Sequence, residues 1–170
     1  MADLGDIATS VRDLDIDAFC RKHPYGFLLE RLESDDDPEW AFKTTTVSRP
    51  TGVQRPRLSA EARRHRVRSL VKATGNAWRE RISVGRARNN DIVLSDNSVS
   101  KLHAYFVVED GAGAQLVDAG SRNGTSVNGR PVAPNEPVAI APGDEVSFGT
   151  VAVTFLDNRG VYRFLHKELE

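Results

Sequence analysis

VNGRPVAPNEPVAIAPGDEVSFGTVAVTF, residues 127–155, decides the fold class. Asn128-Gly129 stands between Val127 and Arg130, and Asn-Gly accepts the positive φ angles of a two-residue type I′ turn, so a hairpin is expected. Ala141-Pro142-Gly143-Asp144 fits a type II turn, with proline fixing the first corner and glycine supplying positive φ at the second. Glu145–Phe148 and Val151–Phe155 then read as strands flanking Gly149-Thr150, with Val151, Val153 and Phe155 sharing one face.

The same grammar extends upstream to Ala60. Arg66–Lys72 and Arg79–Val84 read as strands, and Ala104–Val108 alternates Ala104, Phe106 and Val108 against Tyr105 and Val107. Gln115–Val117 precedes a loop, Asp118–Gly124. Short strands separated by frequent turn signals predict an antiparallel β-sandwich. Before Ala60 the pattern differs. Ile7, Val11, Leu14 and Ala18 recur at helical spacing, so Asp6–His23 is predicted as one helix that Pro24 would stop. Tyr25–Leu32 and Trp40–Val47 read as a hairpin around the turn-prone Ser34–Pro38, and Arg49–Ser59, with Pro50, Gly52 and Pro56, reads as a linker. The expected organisation is an N-terminal extension over 1–60, a β domain over 61–157 and a C-terminal tail over 158–170.

Composition narrows the class. With 39% hydrophobic and 28% charged residues, 13 glycines and 8 prolines in 170 residues, a turn-rich globular chain with one main core is expected. The opening MADLGDIATSVRDLD has neither a signal-peptide pattern nor an anchor, and no segment approaches the roughly 20 apolar residues that span a bilayer. Cys20 has no partner for an internal disulfide, and His23, His65, His103 and His166 are scattered rather than spaced as metal ligands. A cytoplasmic protein without metal or cofactor is expected. The net charge of −1 hides an acidic stretch over 1–37 and a basic one over 43–72. Clustered Lys and Arg over 55–72 suggest a nucleic-acid backbone as a partner, but no stacking aromatics are interleaved, so this is the weaker reading.

Several loop elements follow one another in a defined order: Gly85-Arg86, Asn90-Asp91-Ile92-Val93-Leu94, Ser100-Lys101-Leu102-His103, Leu116-Val117-Asp118, and Asn123-Gly124-Thr125 before Val127-Asn128-Gly129. In content, order and spacing the set resembles the forkhead-associated (FHA) domain family, over about Arg66 to Leu156. The resemblance implies an all-β sandwich of two twisted sheets, here with a small α/β N-terminal extension. It also implies that the protein binds a phosphothreonine-containing segment of a Ser/Thr-kinase substrate. A phosphate needs a permanent cation and converging neutral donors, which suits Arg86 and the Ser100 hydroxyl, with Lys101 as a mobile second cation. By the resemblance, Arg86 and Ser100 contact phosphate, Lys101 adds a contact, and Asn123 bonds the peptide backbone. Gly85 and His103 scaffold the loops, and Gly124 permits the turn that aims Asn123. Arg122 departs from the small polar residue frequent at its place; it either adds to phosphate binding or favours acidic flanking residues. Loops 95–99, 110–114 and 133–137 are expected to read the third residue after the phosphothreonine.

Other readings start from the same residues. Ser100, His103 and Asp118 carry the residue types of a hydrolase triad, but no Gly-x-Ser-x-Gly elbow is present and the serine and histidine are only three residues apart, so catalysis is not expected. Thr44-Thr45-Thr46, once phosphorylated, is a possible ligand for the protein's own site. A phosphate-independent scaffold is the remaining alternative to a bacterial signalling adaptor.

Overall fold

The computed structural model describes residues 4–32, 56–73, 80–109 and 113–169. Helices α1 (Leu4–Asp13) and α2 (Ile16–Lys22) precede strand β1 (Phe27–Arg31) and a short helix α3 (Ala60–Arg63). Strands β2 (His65–Ser69), β3 (Ile82–Gly85), β4 (Ile92–Val93), β5 (Ala104–Glu109), β6 (Gly113–Asp118) and β7 (Thr125–Val127) follow. Then come β8 (Arg130–Pro131), β9 (Pro137–Ile140), β10 (Glu145–Phe148), β11 (Val151–Leu156) and a final helix, α4 (Asn158–Lys167). One sheet runs β2-β1-β11-β10-β7-β8 and the other β4-β3-β5-β6-β9. Pairing is antiparallel among these strands except between β3 and β4. The predicted β-sandwich is the observed fold.

Local chemistry explains the turns. Val127 pairs with Arg130 across Asn128 (φ 50°) and Gly129 (φ 76°), the type I′ hairpin its sequence demands. Gly143 has φ 99° and the Asp144 N–H donates to the Ala141 carbonyl at 3.0 Å, closing the expected turn. Between the sheets lie Leu28, Val84, Phe106, Leu116, Val146, Phe148, Val153 and Phe155, all buried. Alternation along the strands puts these residues on one face, and Phe106 meets Phe148 edge to face at 6.3 Å.

A third layer covers the outer face of the six-stranded sheet. Strand β1 is buried on both sides: Leu28 points into the sandwich, while Phe27 and Leu29 join Ile7, Val11, Phe19, Val67, Val161 and Leu165 beneath the helices. Expectation and structure differ here in three places. The helix predicted over Asp6–His23 breaks in two, because Asp15 takes an extended conformation and its carboxylate caps α2 by accepting from the Ala18 N–H at 2.7 Å. The tail over 158–170 forms α4, capped by Asp157 and docked through Val161 and Leu165, with the Tyr162 hydroxyl donating to the Leu14 carbonyl at 3.1 Å. The hairpin of 25–32 with 40–47 is not the pairing of β1. Both its edges are occupied, by β11 (Leu28↔Phe155) and β2 (Leu28↔Arg68), and a strand has only two edges. Residues 40–47, 33–39 and 48–55 lie outside the described residues. At the end of the predicted linker, Ser59 caps α3, its hydroxyl donates to the Glu168 carboxylate, and Leu58 bridges Leu169.

Candidate functional site

Three loops and one turn meet at one end of the sandwich. The loop after β3 lies along the loop before β5, with Arg86 N–H donating to Ser100 O at 2.9 Å and Ala87 N–H to Lys101 O at 3.1 Å. Gly85 stands at this close approach: a Cβ there would fall on the Lys101 carbonyl and lie 2.8 Å from Asn90 Nδ2. The atoms such a Cβ would crowd are the Lys101 backbone and the Asn90 amide. Asn90 stitches the two loops by donating to Lys101 O at 2.6 Å and Ala87 O at 2.8 Å.

His103 is fully buried and both its ring nitrogens are spent on backbone. The Ser100 N–H donates to Nδ1 at 3.0 Å, which leaves the proton on Nε2 to donate to Gly124 O at 3.0 Å. One neutral ring therefore ties the Ser100 loop to the Gly124 loop. Burial pushes its pKa below the ordinary histidine value, only partly opposed by the Gly124 hydrogen bond and Asp118. Gly124 has φ 79°, a conformation that a side chain would strain, and its carbonyl also accepts from Gly149 N–H at 3.0 Å.

Asp118 organises the next loop. Its buried carboxylate accepts from Gly120 N–H, Ser121 N–H, the Ser121 hydroxyl and the Thr125 hydroxyl. Burial opposes its charge, but these donors outweigh that and hold the carboxyl below the usual range. The geometry leaves no hydrolase triad: His103 takes the backbone N–H of Ser100 rather than its hydroxyl, and Asp118 bonds its own loop rather than His103.

Above this scaffold opens a cleft of about 320 Å³, lined by Arg86, Asn97, Ser98, Val99, Ser100, Lys101, Leu102 and Arg122. Arg86, Ser100, Lys101 and Arg122, singled out by sequence, thus line one cavity. Arg86, Lys101 and Arg122 are exposed. The guanidinium of Arg86 is steadied by Nε donating to Val99 O at 3.2 Å, and its terminal nitrogens have no partner among the described residues. The Ser100 hydroxyl accepts from Arg122 N–H at 3.0 Å, leaving its own proton to donate outward. Asn123 sits beside the cleft rather than in its lining. Its Nδ2 donates to Ser98 O at 2.7 Å, so the amide is held with Oδ1 as its accepting end.

Sequence reasoning quoted Asn90 only as part of the ordered motif set and Ser98 only within loop 95–99, and gave neither residue a role of its own. Ser98 is held by Asp96, whose Oδ1 accepts from both Ser98 N–H (2.8 Å) and hydroxyl (2.6 Å). Its Oγ also accepts from Thr150 N–H at 3.0 Å, fastening the 95–99 loop to the β10–β11 turn. Asp96-x-Ser98 is a local turn pattern that sequence does display, whereas its link to Thr150 is not. Of the loops expected to read beyond the phosphate, 95–99 contributes to the cleft, and 133–137 is pinned by Asn135 N–H donating to Asp118 O at 2.8 Å. Part of 110–114 lies outside the described residues.

Known proteins resemble the β domain that carries this cleft. Residues 82–149 match the family model for the FHA domain. The chain is 46% identical over 74 residues to the glycogen accumulation regulator GarA of Mycolicibacterium smegmatis, covering 44% of each protein. It is 39% identical over 75 residues to the oxoglutarate dehydrogenase inhibitor of Corynebacterium diphtheriae, covering 44% of this chain and 50% of that one. The chain spans about half the length of the curated relatives it matches. Among solved structures, the FHA domain of the CT664 protein from Chlamydia trachomatis superimposes with a TM-score of 0.50 at 23% identity, covering 78% of this chain and 97% of that one.

Proposed function

We propose that the chain, whose residues 82–149 match the FHA domain family model, is a non-catalytic adaptor that binds a phosphothreonine-containing segment of a partner protein. The observation that carries this reading is the cleft: Arg86, Lys101 and Arg122 converge with the Ser100 hydroxyl, and no lining residue is acidic. A phosphate monoester brings about −1.5 to −2 charges and three acceptor oxygens, which such a set of donors complements. Arg86 supplies the fixed cation, Ser100 a neutral donor and Lys101 a mobile cation, while Asn123 presents Oδ1 to a peptide N–H. The partner is a Ser/Thr-kinase substrate in the bacterial cytoplasm.

Calorimetry with the full chain and one peptide in phosphothreonine, phosphoserine and unphosphorylated forms tests this. The phosphothreonine form should bind, the phosphoserine form more weakly and the unphosphorylated form not measurably. Equal affinity for the first and last would refute the proposal in favour of a phosphate-independent scaffold. The nucleic-acid alternative loses three of its cations to internal pairs, Arg66 and Arg68 with Glu30 at 3.5 and 2.9 Å and Lys72 with Asp91 at 3.0 Å.

A second source of ligand is the chain itself. Strand β1 runs antiparallel to β11, and β11 starts just after the Gly149-Thr150 turn beside the cleft, so Leu32 emerges at the cleft end. Strand β1 stands three strand spacings from β7, about 15 Å. Thr45 follows Leu32 by 13 residues, a separation over which a random coil would span roughly 20 Å. Phosphorylation within Thr44–Thr46 would then supply an intramolecular ligand that competes with partners. Kinase treatment followed by intact mass and NMR should show one added phosphate and shifted Arg86, Ser100 and Gly124 amides; phosphate added without those shifts would end the idea.

A further inference from the structure

We propose that Arg122 makes the cleft select peptides with an acidic residue next to the phosphothreonine, an assignment that rests on the phosphopeptide reading above. The argument is one of charge. Arg86, Lys101 and Arg122 line the same cavity, and none of them is in an ion pair among the described residues. The nearby carboxylates are engaged elsewhere: Asp96 with Ser98, and Asp118 with Gly120, Ser121 and Thr125. No residue of the lining can serve as an internal counter-ion.

A phosphothreonine dianion at most neutralises two of the three cations. Arg86 is steered by its Nε bond to Val99 O, next to Ser100, and Lys101 follows Ser100 directly in the chain, so both are held at the loop that carries the hydroxyl that would donate to phosphate. Arg122 is fixed differently. Its backbone N–H is anchored on Ser100 Oγ and the next residue, Asn123, is pinned to Ser98, so Arg122 is carried on the loop that presents Asn123 to the peptide backbone. The cation left over after phosphate binding is therefore the one placed beside the flanking residue. A Glu or Asp at that position complements it, and a Lys or Arg is repelled.

The test uses the full chain as wild type, Arg122→Gln and Arg122→Lys. Three phosphothreonine peptides share one scaffold: neutral flanks, glutamates on the N-terminal side, and glutamates on the C-terminal side. Affinities are measured by calorimetry at low and at physiological salt. In the wild type at least one glutamate peptide should bind about fivefold tighter than the neutral one at low salt, with the ratio shrinking as salt screens it. The ratio should fall below about twofold in Arg122→Gln and persist in Arg122→Lys. A wild-type ratio of one with both glutamate peptides overturns the proposal, and so does a ratio that Arg122→Gln leaves intact. If the wild type binds no phosphorylated peptide at all, the phosphopeptide reading fails first, and this one with it.

Discussion

The layer of helices on the six-stranded sheet and the cleft at the end of the sandwich are built from opposite chemistries. Beneath the helices, Ile7, Phe19, Phe27, Val161 and Leu165 are all fully buried, and the side chains meet one another directly. At the cleft the arrangement is inverted: Arg86, Lys101, Arg122 and Asn123 are exposed, and the buried groups are polar ones, His103, Asp118 and Asn90, each spent on backbone or hydroxyl partners. The helical layer trades in apolar area and so should set stability. The cleft displays cations unpaired among the described residues on a hydrogen-bonded frame and so should set affinity. Separability of the two is the lesson, and it can be attacked from either side.

The largest effect should come from Phe19→Ala, which empties a fully buried site under α2 and α4 and should cost about 3–5 kcal/mol in chemical denaturation. Phosphopeptide affinity of the folded fraction should stay within about twofold; a large loss would mean that the layers are coupled. Arg86→Ala should do the reverse, lowering affinity by about a hundredfold or more, since hydrogen bonds to charged groups contribute roughly 1.5–3 kcal/mol each. Its unfolding midpoint should barely move, because the residue is exposed.

Gly85→Ala is the substitution that should violate the separation. A Cβ placed against the Lys101 carbonyl forces apart the two loops that carry Arg86 and Ser100. Stability should drop by about 1–3 kcal/mol, and affinity should drop with it. Asn123→Ala should be milder, about tenfold in affinity, because it removes one backbone acceptor and its brace to Ser98. Wild-type stability across that series would show that the frame tolerates loss of the brace.

Acid probes both regions at once. His103 in the cleft frame and His23 under the helices are both held below the ordinary value of 6.5, chiefly by burial. The unfolded chain therefore takes up protons that the native one refuses. The stability these histidines contribute is fully present above about pH 6.5 and is lost as pH falls toward their folded values, with a slope of at most about 1.4 kcal/mol per pH unit for each. Asp91 and Asp118, held below the ordinary 3.8 by their donors, add a second loss only in stronger acid. Urea titrations from pH 8 to 3 should show a plateau followed by these two declines; constant stability from pH 7 to 5 would contradict the histidine assignment.

What sequence made legible follows from how local each signal is. The Asn128-Gly129 hairpin and the Pro142-Gly143 turn are written in adjacent residues, and both appear as read. The ordered loop motifs placed Arg86, Ser100, Lys101 and Arg122 in one cavity because their spacing encodes a whole family of loops. Pairing of β1 was not legible: its partners are β2 and β11, far along the chain, whereas Tyr25–Leu32 and Trp40–Val47 look locally like a hairpin. Helix α4 was overlooked although Asp157, Val161 and Leu165 spell out a cap and a buried stripe, because a sandwich pattern ends naturally at β11. The hold of Asn123 on Ser98 depends on two loops meeting in space, which no spacing within either one displays.

Strand β1 lies between two strands contributed by the chain after residue 56, while its own covalent link to them runs through residues 33–55. A cut anywhere in that span would divide the protein into a piece carrying α1, α2 and β1 and a piece carrying the rest. The larger piece would lack the middle of a sheet and the smaller would have nothing to pair with. Each is a lock and key to the other, and mixing the separately expressed pieces should rebuild one folded, nicked molecule, giving a split protein whose reassembly can be coupled to any two proteins fused to it.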